Sequence, residues 1–175
     1  GDKWDILRAE RIANEFKRHF VYVTAGDEYA IVDALKPLNP KLIVPISFPK
    51  PVDVSDPYVA KNVSIQELKH WEAAPYNFKM LTDAGISTAI TTQGLPLADF
   101  WKTIRKLISI GTSPSSILSS LTTVPSSYLG LDSMVGTLEA SKLASFNVFS
   151  KDPFVFESTL LESWSLGNCL APQSA

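Results

Sequence analysis

HFVYVTAGDEYAIVDALKPLNPKLIVPIS, residues 19–47, sets two short apolar runs on either side of a segment with helical signals. It opens with a β-branched and aromatic run, His19 to Ala25, too short for a helix and suited to a buried parallel strand. Gly26 and Asp27 break that run, and Asp27 stands where an N-cap would open a helix reaching Leu35. Pro37 and Pro40 end the helix. Lys41 to Ser47 is a second buried-strand candidate, although Pro45 removes one ladder hydrogen bond. Two apolar runs joined by a helix through short connections are the signature of a βα unit on a parallel sheet.

The pattern extends in both directions. Upstream, Ile6, Ala9, Ala13 and Phe16 fall at helical spacing between charges, predicting a helix over Asp5 to Lys17. Downstream, residues 48–63 carry Pro49, Pro51 and Pro57 and no clear period, the mark of a functional loop or lid. Ser64-Ile65-Gln66-Glu67 is a capping box that starts another helix. Pro75 begins a further helical piece, closed by Ala84-Gly85. Ser87 to Thr92 is the third strand candidate, ended by Gln93-Gly94. Leu97, Phe100, Trp101, Ile104, Leu107 and Ile108 give the cleanest amphipathic helix of the chain. Ser113-Pro114 supplies an N-cap and a first-turn proline for the next helix, with Ile117, Leu118 and Leu121 on its buried face. Pro125 to Leu129 predicts a last short helix. After Gly136 the grammar changes: Leu143 to Phe149 and Leu160 to Gly167 read as short strands around a turn at Lys151-Asp152-Pro153. They predict an appended antiparallel piece. No internal repeat is evident.

Composition bounds the function classes. Of 175 residues, 45% are hydrophobic and 19% charged, which is the range of globular domains and excludes global disorder. The formal net charge of -2, with no basic tract, argues against a nucleic-acid or anionic-membrane partner. Cys169 is the single cysteine, so no internal disulfide forms and the compartment is left open. No apolar run approaches the roughly 18 residues of a membrane span. The charged start, with Asp2, Lys3 and Asp5, is unlike a signal peptide, so any export signal would lie upstream.

The tail SSYLGLDSMVGTLEASKLASFNVFSKDPF, residues 126–154, resembles the closing signature of amidohydrolases, especially the imidazolonepropionase-like branch. Gly136-Thr137-Leu138-Glu139 and Lys142-Leu143-Ala144 match that signature. Ser141 stands where the family has glycine, Phe146-Asn147-Val148 replaces a more aliphatic strand, and Asp152-Pro153 matches the family's turn without its glycine. DILRAERIANEF and AGISTAITTQG are similar to the fifth helix and eighth strand of the family's barrel. The resemblance implies an α/β fold: the C-terminal part of a (β/α)8 TIM-type barrel over residues 1–131, with residues 132–175 adding strands of a composite β-sandwich. His19–Ala25, Lys41–Ser47 and Ser87–Thr92 then become strands six, seven and eight. Each would end at the C-terminal face, where such barrels place their chemistry.

The same resemblance implies a mechanism in which one or two divalent metals such as zinc activate water. The ligands are an H-x-H pair, histidines after strands five and six, and an aspartate after strand eight that also takes the water's proton. This chain has two histidines and no H-x-H. His19 stands at the wrong end of its strand and reads as structural. His70, in KHWEAAP, could reach the active face, but one isolated imidazole makes no metal site. The strand-six exit offers Asp27 and Glu28 instead of histidine, and helix capping explains Asp27. At the strand-eight exit Gln93 replaces the aspartate, and an amide neither accepts a proton nor binds transition metals well. Gln93, His70, Asp27 and Glu28 are therefore weak candidates, with no metal and no cofactor held by this chain itself. The serines of residues 113–127 have no acid–base partner nearby in sequence.

These readings converge on a fragment of an amidohydrolase acting on carbon–nitrogen bonds of a small-molecule substrate, often cyclic amides, and inactive as this chain. The alternative is a non-catalytic module that binds a small ligand, or serves assembly, on a degenerate barrel. A third reading, an independent small α/β domain, is disfavoured by the tail. Val21 and Val23 alternate with Phe20 and Tyr22, and Ile43 with Leu42 and Val44, so both faces of the strands are apolar. One face needs a partner: the N-terminal part of the same barrel, another copy of the chain, or a rearranged packing.

Overall fold

The structure is a computed structural model and describes residues 3–170 apart from 54 and 56. Residues 171–175 of the expected second unit lie outside the described residues. Helix α1 spans Lys3–Glu15 and buries Ile6 and Ala13. The chain turns off at Lys17, two residues past the helix end, where φ is a left-handed 51°, and the Arg18 N–H donates back to the Ala13 carbonyl at 2.8 Å. Phe16, expected on the buried face, falls past the helix end and is exposed.

Strand β1 (Val21–Val23) leads into a 3-10 turn (Glu28–Ile31) and the single-turn helix α2 (Val32–Leu35). Strand β2 covers Lys41–Pro45, and Pro45 sits at its end, where a missing donor does least harm. The long connection that follows is not wholly irregular: it contains α3 (Pro57–Asn62) before α4 (Ile65–Ala73). The expected capping box is present, the Ser64 hydroxyl accepting from the Glu67 N–H and the Glu67 side chain from the Ser64 N–H. Pro75 opens a 3-10 turn that continues as α5 (Asn77–Asp83), and Gly85 with φ 78° ends it.

Strand β3 (Thr88–Thr91) completes a parallel sheet of order β1-β2-β3, with Val21 opposite Lys41 and Leu42 opposite Thr88. The three strands expected from the sequence are thus present, shorter by one or two residues at the ends. Tyr128 ties down the start of this sheet. Its hydroxyl donates to Ser87 Oγ at 2.9 Å and accepts from the Leu42 N–H at 3.2 Å.

Helix α6 (Phe100–Ser109) buries Thr103, Ile104 and Leu107, whereas Leu97 belongs to a preceding 3-10 turn and is exposed. Helices α7 (Pro114–Leu121) and α8 (Thr123–Tyr128) follow. In α7 only Ile117 of the expected apolar face is fully buried, and Leu118 is exposed. Ser113 does not cap α7 through its side chain; its hydroxyl pairs with that of Ser115 at 2.7 Å.

The core forms two clusters. Ile6, Ile31, Leu35, Leu42, Val44, Leu81 and Ile86 gather where α1, α2 and α5 cover one face of the sheet. Ile46, Phe78, Ile104, Leu107 and Ile117 form the second, beside β3. Val21 and Val23 point to the other face and stay 38% and 63% exposed. Among the described residues, no helix is long and apolar enough to cross a membrane.

The tail is antiparallel, as expected, with one strand more than the sequence suggested. Strands β4 (Phe146–Phe149), β5 (Leu160–Ser165) and β6 (Asn168–Leu170) pair in that order. Phe146 and Trp164 are cross-strand partners with stacked rings 5.8 Å apart. Trp101 of α6 meets Phe149 edge-on at 5.5 Å, and Phe154 packs against the second core cluster.

Candidate functional site at the strand exits

Because β1, β2 and β3 run parallel, their C-terminal ends open on one edge of the sheet. Ladder bonds continue past the strands: the Thr24 N–H donates to the Ile43 carbonyl at 3.0 Å, and the Ile46 N–H to Thr91 at 3.3 Å. The exits lie close together. A Cβ on Gly26 would stand 3.6 Å from Pro45, and one on Gly94 would meet Ser47 Oγ at 3.1 Å. Gly94 also has φ 77°, so a side chain there is disfavoured twice.

At the β1 exit Glu28 is 1% exposed. Its Oε1 accepts from the N–H groups of Ala25 at 3.1 Å and Gly26 at 3.2 Å, and its Oε2 accepts from Asn77 Nδ2 at 2.8 Å. Asn77 Oδ1 in turn accepts from the Tyr29 N–H at 2.6 Å. Glu28 and Asn77 therefore form a buried hub that fixes the turn after β1 to the start of α5. A buried carboxylate needs such donors on both oxygens to be tolerated. Both oxygens being engaged, Glu28 acts on the turn rather than on a ligand.

Asp27 does not cap the following turn through its side chain. Its Oδ2 accepts from the Lys3 N–H at 3.3 Å, and its Oδ1 is buried with no partner. His70 of α4 lies against Tyr29, the rings stacked 6.0 Å apart with the Tyr29 hydroxyl 3.1 Å from Nδ1. Burial first, then the charges of Asp27 and Glu28, push the Tyr29 phenol above its ordinary value, which keeps it a hydrogen-bonding O–H. Gln93 stands at the β3 exit, exposed, its N–H donating to Thr91 Oγ1 at 3.2 Å. His19 is exposed at the opposite end of β1.

Glu28 and His70 are thus linked at the β1 exit through Asn77 and Tyr29, whereas Asp27 bonds to Lys3 and Gln93 belongs to the β3 exit. Tyr29 and Asn77 were not singled out by sequence reasoning. An asparagine opening a helix reads as an ordinary end-of-helix residue, and only the fold brings it to Glu28. Among the described residues, no three His, Cys, Asp or Glu side chains converge as a metal site would require.

The amidohydrolase family profile matches residues 12–170, nearly the whole chain. The chain belongs to the amidohydrolase family. This is a family of hydrolases built on the TIM barrel, and its members generally use a divalent metal. Among solved structures, the chain is similar to an amidohydrolase from Thermotoga maritima MSB8, with a TM-score of 0.72 and 23% identity over 95% of this chain and 40% of that one. It is also similar to a prolidase complexed with N-methylphosphonate-L-proline, with a TM-score of 0.62 and 10% identity over 95% of this chain and 43% of that one. A further amidohydrolase gives a TM-score of 0.52 and 14% identity over 99% of this chain and 59% of that one. At such identities the likeness concerns the fold. The chain spans less than two thirds of the length of each. No curated protein matches the sequence.

Proposed function

We propose that this chain is the C-terminal part of a (β/α)8-barrel hydrolase that cleaves carbon–nitrogen bonds of a small substrate, often a cyclic amide. The observation that carries the reading is the family match over residues 12–170, laid on three parallel strands whose exits share one edge. The prolidase relative, bound to a phosphonate of proline, supports carbon–nitrogen bonds as the substrate class. The hydrolase reading is preferred to a non-catalytic binding module because nothing beyond the missing donors speaks for the latter.

The family's metal supplies a water activated at neutral pH. The donors of this chain do not compose its site: Glu28 is saturated by three N–H groups, His70 Nδ1 is engaged by Tyr29, and the β3 exit carries an amide. This segment accordingly organises rather than performs the chemistry. Glu28 and Asn77 hold the β1 exit, Tyr29 fixes His70, and the Gln93 amide can orient a substrate carbonyl by hydrogen bonding. The apolar face bearing Val21 and Val23 is covered, in this reading, by the N-terminal strands of the same barrel. At ~25 cal/mol per Å2, leaving ~400 Å2 of it in water forgoes ~10 kcal/mol.

The test is metal analysis with an amidase and lactonase panel, run on a longer chain that includes the preceding strands and on residues 1–175 alone. The longer chain should hydrolyse an amide, and the 175-residue chain should not. Activity confined to lactones would overturn the bond class, and full activity of residues 1–175 would overturn the division of labour.

A further inference from the structure

The helix after β1 is short, and that shortness shapes the flank of the molecule. Between α1, with 13 residues, and α5, with seven, stand only a 3-10 turn and the four residues of α2. A cleft of about 490 Å3 opens there. Trp4, Tyr29, Val32 and Met80 give it an apolar and aromatic lining, and Asp33 and Asp83 also line it. No lysine or arginine is among the lining residues. Asp83 is paired with Lys79, whereas Asp33 has no ion-pair or hydrogen-bond partner among the described residues. The field at Tyr29 is negative as well, since Asp27 and Glu28 both oppose ionisation of its phenol.

Aromatic side chains, a thioether and an uncompensated carboxylate around a cleft of this size make one chemical demand. Aromatic faces attract a cation held among them, and a nearby carboxylate adds charge without a large desolvation cost where water still enters. A cation meets both features at once, the aromatic surface and the Asp33 carboxylate. We propose that this flank cleft, which shares Tyr29 with the β1 exit, is a binding site for a small organic ammonium ion. Asp33 supplies the charge and Trp4 the aromatic surface. Its openness to water makes the site a weak one, and its selectivity lies in charge.

The probe is choline, and 3,3-dimethyl-1-butanol is its uncharged counterpart of nearly equal shape. Both are titrated into the longest chain that contains residues 1–175, following the indole N–H signal that disappears in the Trp4→Leu variant. Choline should move that signal and bind about fivefold more tightly than the alcohol, the scale of an exposed cation–aromatic contact. Asp33→Asn should remove most of that preference while leaving the alcohol's affinity unchanged. Asp33 is exposed, so this variant keeps the fold, and circular dichroism checks it. Equal affinity for the two probes, a preference that survives Asp33→Asn, or no shift of the Trp4 signal would each overturn the proposal.

Discussion

The parallel-sheet half and the antiparallel tail are held together by different physics. Among the described residues, every buried side chain lies between Ile6 and Ser126, and none belongs to β4, β5 or β6. The first half is ordered by burial: Leu35, Leu42, Val44, Leu81 and Ile104 are all 0% exposed. The tail is ordered by its hydrogen-bond ladder, the Phe146–Trp164 stack and a few contacts to α6. An isolated small sheet is marginal in water. The tail thus leans on α6, whereas the parallel-sheet region is held by two buried clusters of its own and still leaves Val21 and Val23 uncovered.

Leu42 separates the two regions most clearly, being 0% exposed at the centre of the parallel sheet. Leu42→Ala should lower the unfolding free energy by about 2–5 kcal/mol in chemical denaturation, as for other buried leucines. Leu160→Ala in β5, a half-exposed position, should change it by under about 1 kcal/mol. Equal losses would erase the distinction. Gly136→Ala probes the joint between the two regions. Its φ is 99°, and a Cβ would come within 2.4 Å of Ser126 Oγ and 3.1 Å of its Cβ. A loss of about 1–3 kcal/mol is expected, with the change sensed in α8 as well as in the tail.

Trp101→Ala sharpens the dependence of the tail on α6. Loss of the edge-on contact to Phe149 should amount to about 0.5–1.5 kcal/mol beyond the area lost, and hydrogen exchange should rise in β4 before it rises in β2. The smallest effect is local to α4. Ser64→Ala should cost about 1 kcal/mol of local stability at the α4 N-terminus. Hydrogen bonds from Ser64 hold the Glu67 carboxyl below its ordinary 4.5, so its contribution is present above that value and lost as pH falls through the lowered one. The protection factors of the α4 amides, taken relative to the intrinsic exchange rate at each pH, should therefore fall on acidification in the native protein and less so in Glu67→Gln.

Much of the first half was legible because its signals are local. Apolar runs such as KLIVPIS, the Ser64–Glu67 box and the Gly85 stop act over a few residues. The tail strands were legible as alternation, but β6 was not. Asn168–Leu170 is three residues long and fully exposed, without a pattern that distinguishes a strand from a terminus. Phe16, Leu97 and Leu118 were apolar at the right spacing and still ended exposed, because burial depends on which neighbours arrive and not on period alone. At the site, Glu28 was visible as a residue but not as a role. What fixes that role is Asn77, 49 positions away, and such a partner is encoded only in the fold. Gln93 was the reverse case, its amide chemistry being readable from the sequence without any geometry.

We propose that the outer face and edge of β1 form an interface with barrel strands that precede this segment. Strand alternation makes it testable at single amides. The Thr24 N–H is bonded to Ile43 of β2, so the N–H groups of Val21 and Val23, one residue out of phase, face the open edge. Hydrogen exchange at Val23 should be measured in residues 1–175 and in a chain extended upstream by the preceding strands. Val23 should exchange rapidly in the 175-residue chain and be strongly protected in the extended one, with Leu42, whose N–H is bonded to Ser87, protected in both. Equal, rapid exchange at Val23 in both chains would contradict the proposed interface.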